Sequence, residues 1–246
     1  MRKAILLLTA LALLATPAET EAQHRTNRRQ VQTPVVYLGF NFVAAEAVGD
    51  FSNYVNDGYG GEFWVRKPVD ESGWISLRAD FGFVIYGYER DPVCMAAPIG
   101  CQIQVDLNTT NNIVYGGIGP EFSIPGQVAR PYVNGALGFS YLFTTSSLDD
   151  EWGDDDFGTT NHLGDGVLSA KVGGGVEFQV KRGRVPLYID LGVRYHHNGV
   201  AEFLTKGDIV NHANGNITIY PNRDEADILT YRIGMTIGIP RGEGKR

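Results

Sequence analysis

The sequence lacks an apolar run long enough to cross a membrane as a helix. Such a helix needs about 20 consecutive apolar residues. The most apolar stretch, "AILLLTALALLA", covers only residues 4–15, and the mean hydropathy of the chain is -0.14. A helical membrane protein is therefore excluded. A β-barrel is not, because its strands are apolar on one side only.

Cysteine is also scarce, with only Cys94 and Cys101 in 246 residues. The pair stands without the neighbouring histidines of a zinc site, so we expect no metal and no cofactor. In an exported protein, two cysteines six residues apart in "CMAAPIGC" favour a disulfide that closes a small loop. The sequence therefore predicts a Cys94–Cys101 disulfide.

The N-terminus has the pattern of an export signal. Two basic residues precede the apolar run, and small residues at positions 20 and 22 suit cleavage after Ala22. We therefore predict a signal peptide over 1–22 and a periplasmic leader over 23–34. The barrel described next occupies 35–240, and a short tail covers 241–246.

Helical periodicity is missing from the rest of the chain, and a period of two takes its place. In "PLYIDLGVRYHH", apolar residues recur at every second position from Leu187 to Tyr195, with Asp190 and Arg194 between them. This alternation is typical of strands with one apolar and one polar face. Eight segments show it: 35–45, 59–67, 73–87, 112–123, 129–143, 166–181, 186–197 and 228–240.

The connections between these segments alternate between short and long. "PVDES", "IPGQV" and "RGR" are short turns, whereas the loops over 46–58, 89–111, 146–164 and 198–227 are long. Short turns at one end and long loops at the other are typical of outer-membrane barrels, whose turns face the periplasm. The predicted fold class is all-β, an eight-stranded antiparallel transmembrane β-barrel.

The polar face of the strands carries six basic and five acidic residues interleaved with glycine. Small residues inside a narrow barrel make room for long charged neighbours, so we expect this face to point inward and form a network of salt bridges. The alternative is a soluble lipocalin-type barrel with the apolar face inside. The predicted lumen network comprises Glu62, Arg66, Arg78, Asp80, Glu121, Arg130, Lys171, Glu177, Asp190, Arg194 and Arg232.

The last segment, "RIGMTIGI" over 232–239, resembles the assembly signal of outer-membrane barrels. With the export signal, the strand count and the unequal loops, the chain resembles the small outer-membrane β-barrel protein family of diderm (Gram-negative) bacteria. The resemblance implies localisation in the outer membrane. Members of this group act as envelope stabilisers, adhesins, small pores or lipid-modifying enzymes, so fold does not settle function.

The functional expectation is a largely closed barrel that acts in envelope structure or surface interaction, with a small-solute channel as the alternative. A third possibility is a lipid A deacylase, whose seventh strand ends in His-x-Ser-Asn. Here Asn198 or Gly199 replaces that serine, depending on whether His196 or His197 is aligned. The chain is therefore predicted not to be an enzyme.

The long loops are strongly acidic, with 17 acidic and 3 basic residues, a charge of -14 against -7 for the whole chain. The segment "LDDEWGDDDFG" contains six of these carboxylates. It favours a solvated acidic loop, with a calcium site as the alternative, because its spacing does not match the EF-hand pattern. Expected partners are outer-membrane lipids and lipopolysaccharide, and an extracellular ligand of the loops. We expect a monomer and no nucleic-acid partner.

Overall fold

The computed structural model describes residues 34–94, 104–149, 159–211 and 217–240. Eight long strands in these ranges form one closed antiparallel barrel, as the sequence predicted. They are β1 Val36–Ala47, β2 Asp57–Pro68, β3 Ile75–Cys94, β4 Gln104–Ser123, β5 Ala129–Asp149, β6 Thr159–Lys181, β7 Leu187–Asn198 and, after four short strands, β12 Ile228–Ile239. β12 pairs with β1 and closes the barrel.

The connection between β7 and β12 forms two small hairpins of its own. β8 (Val200–Phe203) pairs with β11 (Asn222–Glu225), and β9 (Ile209–Asn211) pairs with β10 (Ile217–Ile219). A short 3-10 turn, Gly49–Asn53, begins the connection from β1 to β2. No helix within the described ranges is long and apolar enough to cross a membrane.

The burial pattern shows which face of the barrel is outside. Large apolar side chains such as Leu137 and Ile233 are 73% and 57% exposed, whereas charged side chains such as Glu62 are fully buried. In water this arrangement would expose the apolar face and bury the charges, the reverse of a soluble barrel. The apolar belt requires lipid, so the soluble alternative is excluded and the protein is an outer-membrane barrel.

Strands β3 to β6 are much longer than the sequence indicated, at 20 to 23 residues each. A bilayer crossing needs about 9–11 residues, so these strands rise beyond the apolar belt. Much of the predicted loops 89–111 and 146–164 is therefore strand. The alternation of apolar and polar residues ends at the edge of the belt, and threonine and serine continue the sheet.

Hydroxyl pairs across the strands stabilise this extension. The Thr109 and Ser146 hydroxyl oxygens lie 2.7 Å apart, and those of Thr110 and Thr145 lie 3.0 Å apart. Threonine is β-branched and favours strands, and cross-strand Thr–Ser and Thr–Thr pairs add to sheet stability. Four strands thus continue as an extracellular sheet.

The short β2–β3 turn depends on one carboxylate. Asp70 accepts hydrogen bonds from the Ser72 hydroxyl at 2.5 Å and from the backbone N–H groups of Trp74 and Ile75 at 3.0 and 2.7 Å. Gly73 adopts a φ of 75°, which favours glycine. The hydrogen bond from Ser72, followed by that from Ile75, lowers the pKa of Asp70 to about 2.

This turn predicts a pH dependence of unfolding. The ionised Asp70 contributes stability above its ordinary pKa of 3.8, and that contribution is lost as pH falls through about 2. Asp70→Asn should therefore lower the urea midpoint at pH 7, and the difference from the unsubstituted protein should shrink between pH 4 and pH 2.

Glu71→Gln, which changes an exposed carboxylate of the same turn, is the matched control and should leave the difference in midpoint independent of pH. An Asp70→Asn effect of the same size at pH 7 and pH 2 would contradict a role for the ionised carboxylate.

Candidate functional site

All eleven charged residues of the predicted lumen network lie inside the barrel, and each is 6% exposed or less. They face inward because side chains alternate between the two faces of a strand, and these residues alternate with the lipid-facing ones. On β2, for example, Phe63 and Val65 face lipid, whereas Glu62 and Arg66 face the lumen. Buried charges are stable only when they are paired, so their partners decide what this interior can do.

Glu62 on β2 is the most heavily contacted carboxylate. Its two oxygens accept from Arg78, Arg194 and Arg232 at 3.0, 3.1 and 3.0 Å, and these arginines come from β3, β7 and β12. The Tyr115 hydroxyl lies 3.4 Å from the same group. One carboxylate on β2 therefore contacts side chains of four other strands, β3, β4, β7 and β12, across the lumen.

A second cluster lies toward the short turns. Arg66 contacts Glu121 at 2.5 Å and Glu177 at 3.1 Å. Arg78 reaches Glu121 at 3.0 Å and thereby connects this cluster to Glu62. Arg130 lies 3.8 Å from Glu177. The two clusters are one continuous chain of ion pairs.

Asp80 extends this chain toward β6. It contacts Lys171 at 2.6 Å and Arg194 at 3.2 Å. Asp190 is held differently, by hydrogen bonds from the Tyr132 hydroxyl at 2.7 Å and the Asn41 amide at 3.2 Å. Ion pairs thus connect ten of the eleven predicted residues.

Aromatic side chains in the lumen complete this layer, although they were not among the residues predicted from the sequence. The Arg78 guanidinium lies 4.2 Å from the centre of the fully buried Trp64 ring, and that of Arg66 lies 4.4 Å from Tyr37. A Cβ at Gly39 would approach the Trp64 ring to 2.2 Å, so glycine is required there. The sequence contained one indication of this position. Trp64 lies two residues from Glu62 and two from Arg66, so its side chain points to the same face of β2 as theirs.

The outer mouth of the barrel is closed in a different way. Beyond the charged layer, inward-facing side chains such as Val84, Ile113 and Leu142 are apolar and buried. Phe51 of the 3-10 turn and Phe203 of β8 cover them, and their rings pack edge to face at 4.9 Å. Both are essentially unexposed, so residues of two connections form an apolar cap.

Hydrogen bonds attach this cap to the barrel wall. The Tyr86 hydroxyl of β3 donates to the carbonyl oxygen of Leu204 at 3.2 Å. On the β6 side, the backbone N–H of Glu202 donates to the Asp165 carboxylate at 2.9 Å. The cap is therefore anchored at two points of the rim.

The two histidines at the end of β7 point in opposite directions. His196 is fully buried, and its Nε2 lies 3.2 Å from the hydroxyl of Thr230, which donates to the Arg194 carbonyl oxygen. The His197 side chain is 53% exposed and contacts Asp227. Within the described ranges, neither histidine contacts a serine.

Five predicted features fall wholly or largely on residues that the structure does not describe. They are the signal peptide over 1–22, the periplasmic leader up to residue 33, the acidic segment over 150–158, the tail over 241–246, and the disulfide, for which neither Cys101 nor the Cys94 side chain is described. They stay predictions.

The ion-pair network predicts a large effect of one isosteric substitution. Glu62→Gln removes the charge that three arginines share and leaves buried cations without full compensation. Breaking a buried ion pair in this way costs about 3–5 kcal/mol. The free energy of unfolding, measured by urea titration in lipid vesicles, should fall by that amount.

Asp106→Asn is the control, because Asp106 pairs with Arg90 at 2.5 Å on the surface, where both side chains are at least one-third exposed. Such a pair contributes about 1 kcal/mol or less. Equal losses in the two variants would mean that the lumen charges do not act as a buried network.

Comparisons with known proteins show similarity at the level of the barrel. No protein-family model and no curated protein matches the chain. Neisserial surface protein A shares 14% identity over 83% of this chain and 97% of its own, with a TM-score of 0.46. Ail, the attachment invasion locus protein of Yersinia pestis, shares 14% over 83% and 98%, with a TM-score of 0.47.

A major outer membrane protein from Thermus thermophilus shares 16% identity over 81% of this chain and 98% of its own, with a TM-score of 0.41. Likeness at this level carries no information on function. The structure itself, with eight antiparallel strands, an apolar belt outside and paired charges inside, is that of a small outer-membrane β-barrel.

Proposed function

We propose that this protein is a closed outer-membrane barrel that acts in envelope structure or surface interaction through its extracellular side, and does not transport solutes. The observation that carries the proposal is the chain of ion pairs from Arg130 to Lys171, which crosses the lumen without interruption.

Two barriers support a closed lumen. Eight strands enclose only enough space for side chains, and opening a path would separate buried ion pairs at a cost of several kcal/mol. The cap formed by Phe51 and Phe203 adds an apolar layer above them. An ion would meet both layers in sequence.

The extracellular side is the part available to partners. The sheet formed by the outer ends of β3 to β6 extends beyond the belt, and described acidic residues on this side include Glu89, Glu202, Asp224 and Glu225. An acidic surface attracts cationic partners over about 8–10 Å at moderate salt. It repels the phosphates of lipopolysaccharide unless divalent cations bridge the two.

We infer that the protein has no catalytic activity of the deacylase kind. His196 is enclosed in the lumen, where substrate has no access, and His197 contacts a carboxylate instead of a hydroxyl nucleophile. Acyl transfer needs a nucleophile within hydrogen-bond reach of the base.

Closure predicts that the purified protein conducts poorly. Planar-bilayer recording should show no steady conductance of porin size. The heat-dependent mobility shift between boiled and unboiled samples should verify that the barrel is folded. A lack of conductance is then not due to unfolded or missing protein. Steady ion-selective conductance would favour the small-solute channel instead.

The proposed surface role predicts cation-dependent association with lipopolysaccharide. Replacement of Asp149, Asp150, Asp154, Asp155 and Asp156 by asparagine should remove most of the difference in lipopolysaccharide binding between Ca²⁺ and EDTA, because fewer carboxylates need bridging. Surface plasmon resonance on protein in lipid discs measures this.

Glu71→Gln, an exposed carboxylate in the turn on the periplasmic side, is the control and should leave the difference between Ca²⁺ and EDTA unchanged. If the variant with five asparagine substitutions kept the full difference in lipopolysaccharide binding between Ca²⁺ and EDTA, the acidic segment would serve only solubility.

A further inference from the structure

Three potential ligands meet where the β8–β11 hairpin leaves the barrel. His197 is the penultimate residue of β7, Glu225 is the last residue of β11, and Asp227 precedes β12. One ligand atom from each lies within 4.8 Å of the other two. His197 Nδ1 and the nearer Asp227 carboxylate oxygen are 3.1 Å apart.

The position of Asp227 is fixed by its surroundings. The residue is 5% exposed, and its carboxylate accepts from the Tyr195 hydroxyl and from the backbone N–H of Asn198 at 2.8 Å. The Asn198 side chain donates to the carbonyl oxygen of Ala226 at 2.6 Å. Partners of this kind orient a ligating carboxylate before an ion arrives.

The donor set indicates a class of ion. Imidazole nitrogen and carboxylate oxygen bind Zn²⁺ at about 2.0–2.2 Å, which places ligands around a tetrahedral ion about 3.3 Å apart. His197 and Asp227 are joined by a 3.1 Å hydrogen bond, and an ion that replaced the shared proton would keep nearly the same separation; the exposed Glu225 places a carboxylate oxygen within 4.8 Å of both. Ca²⁺ prefers six to eight oxygen ligands, so a nitrogen donor and two carboxylates favour a borderline transition metal.

We propose that His197, Glu225 and Asp227 bind one divalent transition-metal ion of the Zn²⁺ class at the extracellular rim. Three protein ligands leave a position for water, and the exposed side of His197 gives the ion access from solvent. Because the ligands belong to β7 and to the returning leg of the hairpin, the ion would hold the base of the cap against the barrel.

The test is metal titration of the refolded, tag-free protein after treatment with EDTA. Isothermal titration with Zn²⁺, and visible absorption with Co²⁺ as a spectroscopic substitute, should show one site. His197→Ala and Glu225→Gln should each weaken that site at least ten-fold. Asp227→Asn is a poorer test, because Asp227 also holds Tyr195 and Asn198 in place.

The matched controls are His162→Ala, a histidine on β6, and Glu202→Gln, an exposed carboxylate on β8 of the same hairpin. Both should bind Zn²⁺ as the unsubstituted protein does, and every variant should retain the heat-dependent mobility shift of a folded barrel. Ca²⁺ in ten-fold excess should not displace the ion.

Zn²⁺ binding that survives in both His197→Ala and Glu225→Gln would place the ion elsewhere and overturn the proposal. The absence of saturable Zn²⁺ binding would do the same, and displacement by Ca²⁺ would overturn the assigned class of ion.

Discussion

The pairing of buried charge is the constraint on which the rest of this barrel depends. Glu62 contacts three arginines from three other strands, and each would be costly to bury alone. A shift of β2 by one residue would turn Glu62 toward lipid and Phe63 into the lumen. The ion-pair network and the apolar belt therefore require the same pairing register of β2 with its neighbouring strands. A change of register would disrupt both.

Closure of the barrel uses two kinds of interaction that depend on different parts of the sequence. The charged layer comes entirely from barrel strands, whereas the cap needs Phe51 and Phe203 from connections. Burial of apolar surface is nondirectional compared with ion pairing, so residues of the connections can supply it without a fixed strand register. Changes in the connections can thus alter the mouth while the charged layer stays closed.

Period-two alternation was enough to predict the barrel and the charged residues of its interior. A charged residue between two lipid-facing residues on a strand must point to the other face, which is the lumen. Trp64 was missed because an aromatic residue suits either face. The lengths of β3 to β6 were missed because above the belt both faces of a strand are polar. Contacts such as Thr109 with Ser146 decide the structure there.

The cluster of His197, Glu225 and Asp227 could not have been predicted from the spacing of these residues in the sequence. His197 and Asp227 are 30 residues apart, and they meet only because the intervening chain folds out as hairpins and returns to β12 beside β7. A closed barrel brings chain neighbours together at its rim whatever the length of the connection between them. New chemistry in such a protein therefore arises most readily where a long connection leaves and returns, since the strands there are rigid and the loop is free to vary.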